Sequence, residues 1–104
     1  MTVTTVEPSV AFQELVEILS PASLGFDEGG NDVFRGLGST GDGAMGTFGG
    51  HFLGQAVASA QRTVGDDRNL HSIHAYFLRG GEPNRPIDYT VERLRDGRSF
   101  STRR

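Results

Sequence analysis

The sequence predicts an α+β domain in which an antiparallel sheet packs around one long, buried helix. Two observations support this fold class. Residues 48–64 lack any Asp or Glu and are apolar or small on nearly every face, which is typical of a helix covered on all sides. Residues 87–104 alternate in strand fashion around Asp96-Gly97, a strong hairpin signal. A helix combined with antiparallel strands favours the α+β class.

Length and composition limit the possible classes of protein. The chain has 104 residues, 36% of them hydrophobic and 22% charged, so it holds one folded domain at most. It contains no Cys, which excludes a disulfide framework and a thiolate zinc site, and we expect neither a metal nor a cofactor. No apolar run is long enough to span a membrane, and the N-terminus lacks a basic region typical of signal peptides. The cytoplasm is therefore the expected location.

Charge is distributed unevenly along the chain, whose net charge is −3. Residues 1–80 contain four Arg and nine acidic residues, whereas residues 81–104 contain six Arg and four acidic residues. An Arg-rich end is a feature of some nucleic-acid binders, but here the arginines interleave with Glu92 and Asp96 and the domain as a whole is not basic. A nucleic-acid partner is therefore not expected.

The first half of the chain contains one helix, one strand and a glycine-rich loop. Residues 1–9 are expected to be a disordered terminus, because they lack a hydrophobic period. Apolar residues at helical spacing predict a helix over residues 10–19, whose apolar face must dock on the rest of the fold. That face consists of Phe12, Leu15, Val16 and Leu19. Residues 21–47 are mostly loop, with a short strand over residues 32–36.

The second half begins with the long helix and continues with strands. One stripe of the helix over residues 48–64 consists of Leu53, Val57, Ala60 and Val64. Gly65 is placed to end this helix. Residues 70–78 alternate between an apolar face and a mixed face, which favours a central strand packed on the helix.

A hairpin is predicted at the end of the chain. Residues 87–95 form its first strand, with Ile87, Tyr89 and Val91 on one face. A two-residue type I′ turn at Asp96-Gly97 would pair Leu94 with Ser99 and place Arg104 opposite Tyr89. The first two residues of the strand then lack partners, so we expect the sequence to be the front part of a longer chain. A sheet curled around one long helix describes a hotdog fold, here without its C-terminal strands.

Candidate binding groups stand at the start of the long helix. Gly49 and Gly50 leave backbone N–H groups free for an anion or a polarised carbonyl oxygen, or they serve only close helix–sheet packing. His51 is a candidate acid, base or ligand contact, or a partly exposed structural residue. His71 and His74 would point to opposite faces of one strand, so they cannot bind one metal together.

The segment of residues 41–46 matches the pattern G-x-G-x-x-G. A dinucleotide site is not expected there, because no strand precedes the segment. In addition, the acidic residue Asp66 precedes the next strand instead of following it.

Four segments resemble one known family, the type II (TesB-like) acyl-CoA thioesterases. Residues 47–56 (TFGGHFLGQA) are similar to the helix start of that family, and residues 71–79 (HSIHAYFLR) to its next strand. Residues 89–103 resemble its following hairpin, and residues 32–36 its opening strand. The four segments occur in the order in which the family has them.

The resemblance implies a function for the family and implies that this chain represents only part of a family member. Members of the family join two hotdogs in one chain and hydrolyse fatty acyl-CoA to free fatty acid and CoA. Residues 10–104 would be a partial N-terminal hotdog domain that binds acyl-CoA and pairs with a second hotdog domain or another copy, with no membrane partner. The family usually has Gln where this chain has His51, and Pro where it has Gly80.

The resemblance assigns no catalytic residue to this chain, because the family's catalytic groups belong to the second hotdog. The chain alone is therefore expected to be inactive. Its substrate-binding candidates are Gly49, Gly50, His51 and His74. A non-catalytic hotdog module that binds acyl-CoA or only dimerises is the alternative interpretation.

Overall fold

The computed structural model describes residues 9–40 and 49–104, which contain two helices and five short strands. In chain order these are α1 (Val10–Ile18), β1 (Ala22–Phe26), β2 (Asp32–Gly36), α2 (Gly49–Gln61), β3 (Ile87–Val91), β4 (Arg93–Asp96) and β5 (Ser101–Arg103). Strands β1, β2 and β3 form one antiparallel sheet in that order, and β4 pairs with β5 in a second. The predicted α+β class is confirmed.

Some of the predictions fall on residues outside the described ranges. The terminus over residues 1–8, the G-x-G-x-x-G segment over residues 41–46 and Phe48 at the predicted helix start lie there. Ser9 is described, and it belongs to the start of α1. Neither helix within the described ranges is long and apolar enough to cross a membrane.

Helix α1 begins where the sequence predicts, but its apolar face stays largely exposed. The Ser9 hydroxyl accepts a hydrogen bond from the Phe12 backbone N–H at 3.1 Å, which caps the helix. Along the predicted face, exposure runs from 41% at Leu19 to 54% at Phe12. Periodicity places residues on one face of a helix, but another element must cover that face. Among the described elements, α2 meets the face at the C-terminal end of α1, where Leu19 lies against Gly54.

Strand β1 lies in a segment predicted to be loop. All five of its residues are exposed, so it shows no alternation of apolar and polar positions. It pairs with β2 through an irregular register at Gly25, whose φ of +87° is favourable only for glycine. The connecting turn is closed by Asp27, whose carboxylate accepts a hydrogen bond from the Asn31 backbone N–H at 2.9 Å.

Strand β2 is the centre of the three-stranded sheet and confirms the predicted strand. Its inner face contains Phe34, which is 4% exposed and lies under the guanidinium of Arg62 at 5.1 Å. On its outer face, Arg35 forms two hydrogen bonds of 2.7 and 3.0 Å with Asp88 of β3. Strands β2 and β3 are thus joined by backbone hydrogen bonds and by an ion pair on the outer face of the sheet.

The segment over residues 70–78 was predicted to be a central strand, and that prediction is wrong for this structure. The segment belongs to no helix or strand. Alternating faces favour a strand, but a ladder also requires a neighbour whose backbone groups it can pair with. No described strand pairs with the segment, and its apolar side chains are accordingly exposed, to 52% at Ile73 and 90% at Leu78.

The predicted hairpin is confirmed, but the register and the turn type predicted for it are wrong. Arg93 lies opposite Arg103 and Asp96 opposite Ser101, so residues 97–100 form the loop. Arg104 pairs with Glu92 through two backbone hydrogen bonds, and not with Tyr89. Gly97 does not adopt the positive φ that a type I′ turn requires. The continuous strand predicted over residues 87–95 is interrupted at Glu92.

Contacts with residues distant in sequence explain the observed register. The Arg103 side chain donates to the Thr63 hydroxyl at 2.6 Å and to the Thr63 carbonyl at 2.9 Å, just beyond α2. It also donates to the carboxylate of Asp96 at 2.8 Å across the hairpin. Asp32 of β2 receives two hydrogen bonds from Arg93, at 2.9 and 3.0 Å, and this guanidinium holds the pKa of Asp32 below its ordinary value. These bonds attach the hairpin to both α2 and the sheet.

Helix α2 is buried along one stripe and not on all sides as predicted. Gln55 and Ser59 are 0% exposed and Thr63, just past the helix, is 6% exposed, while the apolar stripe of Leu53 and Val57 is half-buried. The buried stripe is polar because its side chains find partners: the Ser59 hydroxyl donates to the Gln55 carbonyl at 2.8 Å. Within the described ranges, every buried side-chain nitrogen and oxygen has a hydrogen-bond partner.

Candidate functional site

An open apolar groove of about 250 Å³ lies between α2 and residues 75–79. Its lining consists of Phe52, Leu53 and Ala56 from α2, residues 75–79, and Tyr89 from β3. A second groove of about 350 Å³, at the start of α2, shares Phe52, Phe77 and Arg79 with the first. We call the two together the apolar groove. Among the described lining residues, Arg79 alone carries a charge.

A buried polar cluster centred on Gln55 lies behind the groove. The Gln55 Nε2 donates hydrogen bonds to the Ile18 carbonyl at 2.9 Å and to the Leu37 carbonyl at 2.8 Å. Its Oε1 accepts a hydrogen bond of 2.8 Å from the Tyr89 hydroxyl, which comes from the groove wall. One side chain thereby joins α2 to the end of α1, to the loop after β2 and to β3.

Gly36 leaves space for this cluster. A β-carbon at Gly36 would lie 2.5 Å from Cδ of Gln55, closer than real contacts allow. The last residue of β2 can therefore pack against the Gln55 carboxamide only because it has no side chain.

The ionisation of the Tyr89 phenol can be predicted from its burial. Burial raises its pKa to about 12, because the charged phenolate is disfavoured away from water. In a Tyr76→Phe variant Tyr89 is the one remaining tyrosine, and we expect its phenolate absorbance to appear with a midpoint near pH 12. In urea, where the chain is unfolded, the midpoint should fall to about 10.

The sign of the effect on stability follows from this pKa shift. Since the folded state favours the neutral phenol, the contribution of Tyr89 to stability is complete below the unfolded pKa of about 10. It is lost as the pH rises through about 12. A midpoint near 10 in the folded protein would contradict the burial of this hydroxyl.

Gly49, Gly50 and His51 lie together at the start of α2. Nε2 of His51 lies 2.7 Å from the Leu37 carbonyl oxygen, which can only accept, so this nitrogen carries the hydrogen and donates it. A β-carbon on Gly49 would lie 3.3 Å from the Phe77 ring, so this glycine permits close packing against the groove wall. These contacts support the structural interpretations of His51 and Gly49, while substrate binding by the three residues stays a prediction.

His74 lies apart from the other candidates. It is exposed, it stacks on the Tyr76 ring at 4.7 Å, and it does not line the groove. His71 contacts a different ring, that of Phe100, at 5.9 Å. No group of three or more His, Asp or Glu within the described ranges is placed to hold a metal ion.

No sequence pattern predicts Gln55, Tyr89 or Arg79 as a site residue. Gln55 carried a usable signal, because a long polar side chain within a run of small and apolar helix residues must find buried partners. Tyr89 is predicted to share one face of its strand with Ile87 and Val91, and the burial pattern of β3 confirms that shared face. The sequence contains no signal for the position of Arg79 at the groove, which results from the path of residues 75–79.

Comparison with known proteins identifies the family. The family model of the acyl-CoA thioesterase N-terminal domain matches residues 38–104. Mouse acyl-coenzyme A thioesterase 8 is 38% identical over 90 residues, which are 86% of this chain and 28% of the relative. Acyl-CoA thioesterase 2 of Haemophilus influenzae is 52% identical over 54 residues, which are 52% of this chain and 19% of the relative.

A third relative, from yeast, is the peroxisomal acyl-coenzyme A thioester hydrolase 1, which is 41% identical over 58 residues, or 56% of this chain and 17% of the relative. The chain thus spans less than a third of the length of the curated relatives that it matches. The family match includes α2, the groove wall and the hairpin, which carry three of the four resembling segments. Because this match covers well over half of the sequence, the chain belongs to the acyl-CoA thioesterase N-terminal domain family.

Proposed function

We propose that this chain is the N-terminal part of an acyl-CoA thioesterase and that it supplies a wall of the acyl-binding site. The observation that supports this most directly is the apolar groove between α2 and residues 75–79. Burial of each methylene of an acyl chain stabilises the complex by roughly 0.8 kcal/mol, so an apolar groove favours a fatty acyl group over a polar ligand. The groove is open along its length, so further protein surface would complete the site.

The described lining residues of the groove include no carboxylate that could act as a catalytic base. Hydrolysis of a thioester requires an activated water and donors for the developing oxyanion. Helix α2 contains no carboxylate, and no Asp or Glu is found among the described lining residues. The backbone N–H groups of Gly49 and Gly50 are proposed donors toward the thioester oxygen, with His51 and His74 as the other proposed substrate contacts.

We also propose that residues 10–104 form a partial hotdog domain. The antiparallel β1-β2-β3 sheet contacts α2 through Gly36 and Tyr89, which both meet Gln55, and this arrangement is compatible with that fold. The exposed segment over residues 70–78 would join the sheet as a strand once a neighbour offers it backbone partners. A second hotdog domain or another copy of the chain is the proposed partner.

The 104-residue chain is expected to bind an octyl thioether of CoA but to hydrolyse octanoyl-CoA little, as followed by release of free thiol. An Ala75→Phe substitution would fill the groove and weaken binding of the thioether roughly tenfold, the equivalent of about two buried methylenes. Ala11→Phe, on the exposed surface of α1, is the matched control and should bind like the unaltered chain.

Two outcomes would contradict the proposal. Rapid hydrolysis by the chain would show that it contains a catalytic base. Equal affinity of Ala75→Phe and Ala11→Phe would show that the groove is not the acyl site.

The alternative is a non-catalytic hotdog module that binds acyl-CoA or dimerises. The exposed apolar side chains of Leu70, Phe77 and Leu78 favour it, since a partner would remove them from water. Light scattering separates a dimer from a monomer, and a monomer that binds no acyl-CoA analogue would eliminate this candidate. A cytoplasmic location stays a prediction, which cell fractionation would test.

A further inference from the structure

Arg79 is a cation at the apolar groove for which the described part of the chain provides no ion-pair partner. It lines both parts of the groove, its side chain is exposed, and it makes no ion pair or side-chain hydrogen bond within the described ranges. Seven of the ten arginines do have partners there, namely Arg35, Arg62, Arg68, Arg85, Arg93, Arg103 and Arg104. Glu82, the acidic residue closest in sequence, is paired with Arg85 at 2.9 Å and so does not neutralise Arg79.

The position of Arg79 selects a ligand with two chemically different parts. The remaining described lining residues are apolar or aromatic, or are glycine, so the groove accepts a hydrocarbon chain. A guanidinium without a carboxylate partner favours an anion, and its planar set of donors matches the oxygens of a phosphate. A ligand that satisfies both conditions has an apolar chain attached to a group that carries phosphates.

We propose that Arg79 binds a phosphate of the CoA moiety while the acyl chain occupies the apolar groove. This inference rests on the proposed function and deepens it by assigning a residue to the nucleotide end of the substrate. Because the acyl chain is held inside the groove, the CoA moiety of the same ligand must extend from the groove into solvent. The exposed Arg79 side chain is available to meet it there.

The test is calorimetric binding of three ligands that share an octyl thioether and differ in their phosphates. S-octyl-CoA has the pyrophosphate and the 3′-phosphate, S-octyl-dephospho-CoA has only the pyrophosphate, and S-octyl-pantetheine has neither. Arg79→Leu should weaken S-octyl-CoA binding about tenfold, as the loss of a charge-assisted hydrogen bond would, and should leave S-octyl-pantetheine unchanged. Arg79→Lys should restore part of the loss, and added salt should reduce the difference between Arg79→Leu and the unaltered chain.

Arg98→Leu is the matched control, since Arg98 is also exposed, makes no side-chain pair within the described ranges and does not line the groove. If Arg79→Leu weakens S-octyl-dephospho-CoA as much as S-octyl-CoA, the pyrophosphate is the group bound. If dephospho-CoA binding is unaffected, the group bound is the 3′-phosphate.

Four results would overturn the proposal. Equal weakening of all three ligands would mean that Arg79 packs on the alkyl part, and no weakening beyond that of Arg98→Leu would mean that it binds nothing. If the unaltered chain binds the pantetheine and CoA ligands with one affinity, the phosphates are not recognised, although acyl binding stands. If it binds none of the three, the proposed function itself fails, and the role of Arg79 with it.

Discussion

Replacing Gln55 by Leu is expected to lower the free energy of unfolding by about 3 kcal/mol. The Gln55 side chain is 0% exposed and donates to the carbonyls of Ile18 and Leu37 while accepting from the Tyr89 hydroxyl. Leu fills a similar volume but leaves the Tyr89 hydroxyl and the Ile18 carbonyl without that partner, and each such group costs roughly 1–3 kcal/mol. Urea denaturation followed by circular dichroism measures the loss.

The matched control for this substitution is Gln13→Leu. Gln13 lies on the exposed surface of α1, where the structure shows no hydrogen bond from its side chain to a described residue. The control should change the free energy of unfolding by less than about 0.5 kcal/mol. Equal losses for the two variants would show that the cluster around Gln55 does not hold α1, β3 and α2 together.

Replacing Gly38 by Ala is expected to lower the free energy of unfolding by about 2–3 kcal/mol. A β-carbon at Gly38 would lie 2.7 Å from the carbonyl carbon and 2.8 Å from the backbone nitrogen of Arg85. Both atoms belong to backbone, which cannot rotate away as the end of a side chain can, so the two segments must separate. The adjacent hydrogen bond from the Asn84 N–H to the Ser39 carbonyl, at 2.6 Å, would be strained by that movement.

Gly80→Ala is the control for the substitution at Gly38. No atom lies within 4 Å of a β-carbon built at Gly80, and its φ is not positive, so we expect a change below about 0.5 kcal/mol. Thermal unfolding of the two variants provides the comparison. A Gly38→Ala chain as stable as Gly80→Ala would mean that the loops at residues 38–39 and 84–85 do not pack as the structure shows.

The elements predicted correctly are those whose signals are local. The spacing of apolar residues predicts α1 to within one residue, and the short strand predicted over residues 32–36 is β2. Alternation predicts the face that Ile87, Tyr89 and Val91 share in β3. Strand β1 was missed because it is exposed throughout and so carries no alternation. Residues 70–78 show the converse, since their alternation is strong but no described strand pairs with them.

The candidate site was predictable in part. The sequence places Gly49 and His51 correctly at the helix start, because a glycine pair followed by a helical pattern is a local feature. Their partners, the Phe77 ring and the Leu37 carbonyl, are not local, and nothing in the sequence indicates them. Gln55 could have been found from its isolated polarity in α2, whereas Arg79 could not have been placed at the groove.

The sequence by itself determined the family, the α+β class and the positions of both helices, of β2 and of the hairpin. Motifs, caps and periodicity act over a few residues, so these features can be read without knowing the fold. The tertiary structure alone decided the hairpin register, the polar burial of Gln55 and the position of Arg79. Each of these depends on contacts between residues far apart in the chain, such as Arg103 with Thr63 and Tyr89 with Gln55. Such contacts form only when the elements pack together, which is why local patterns do not contain them.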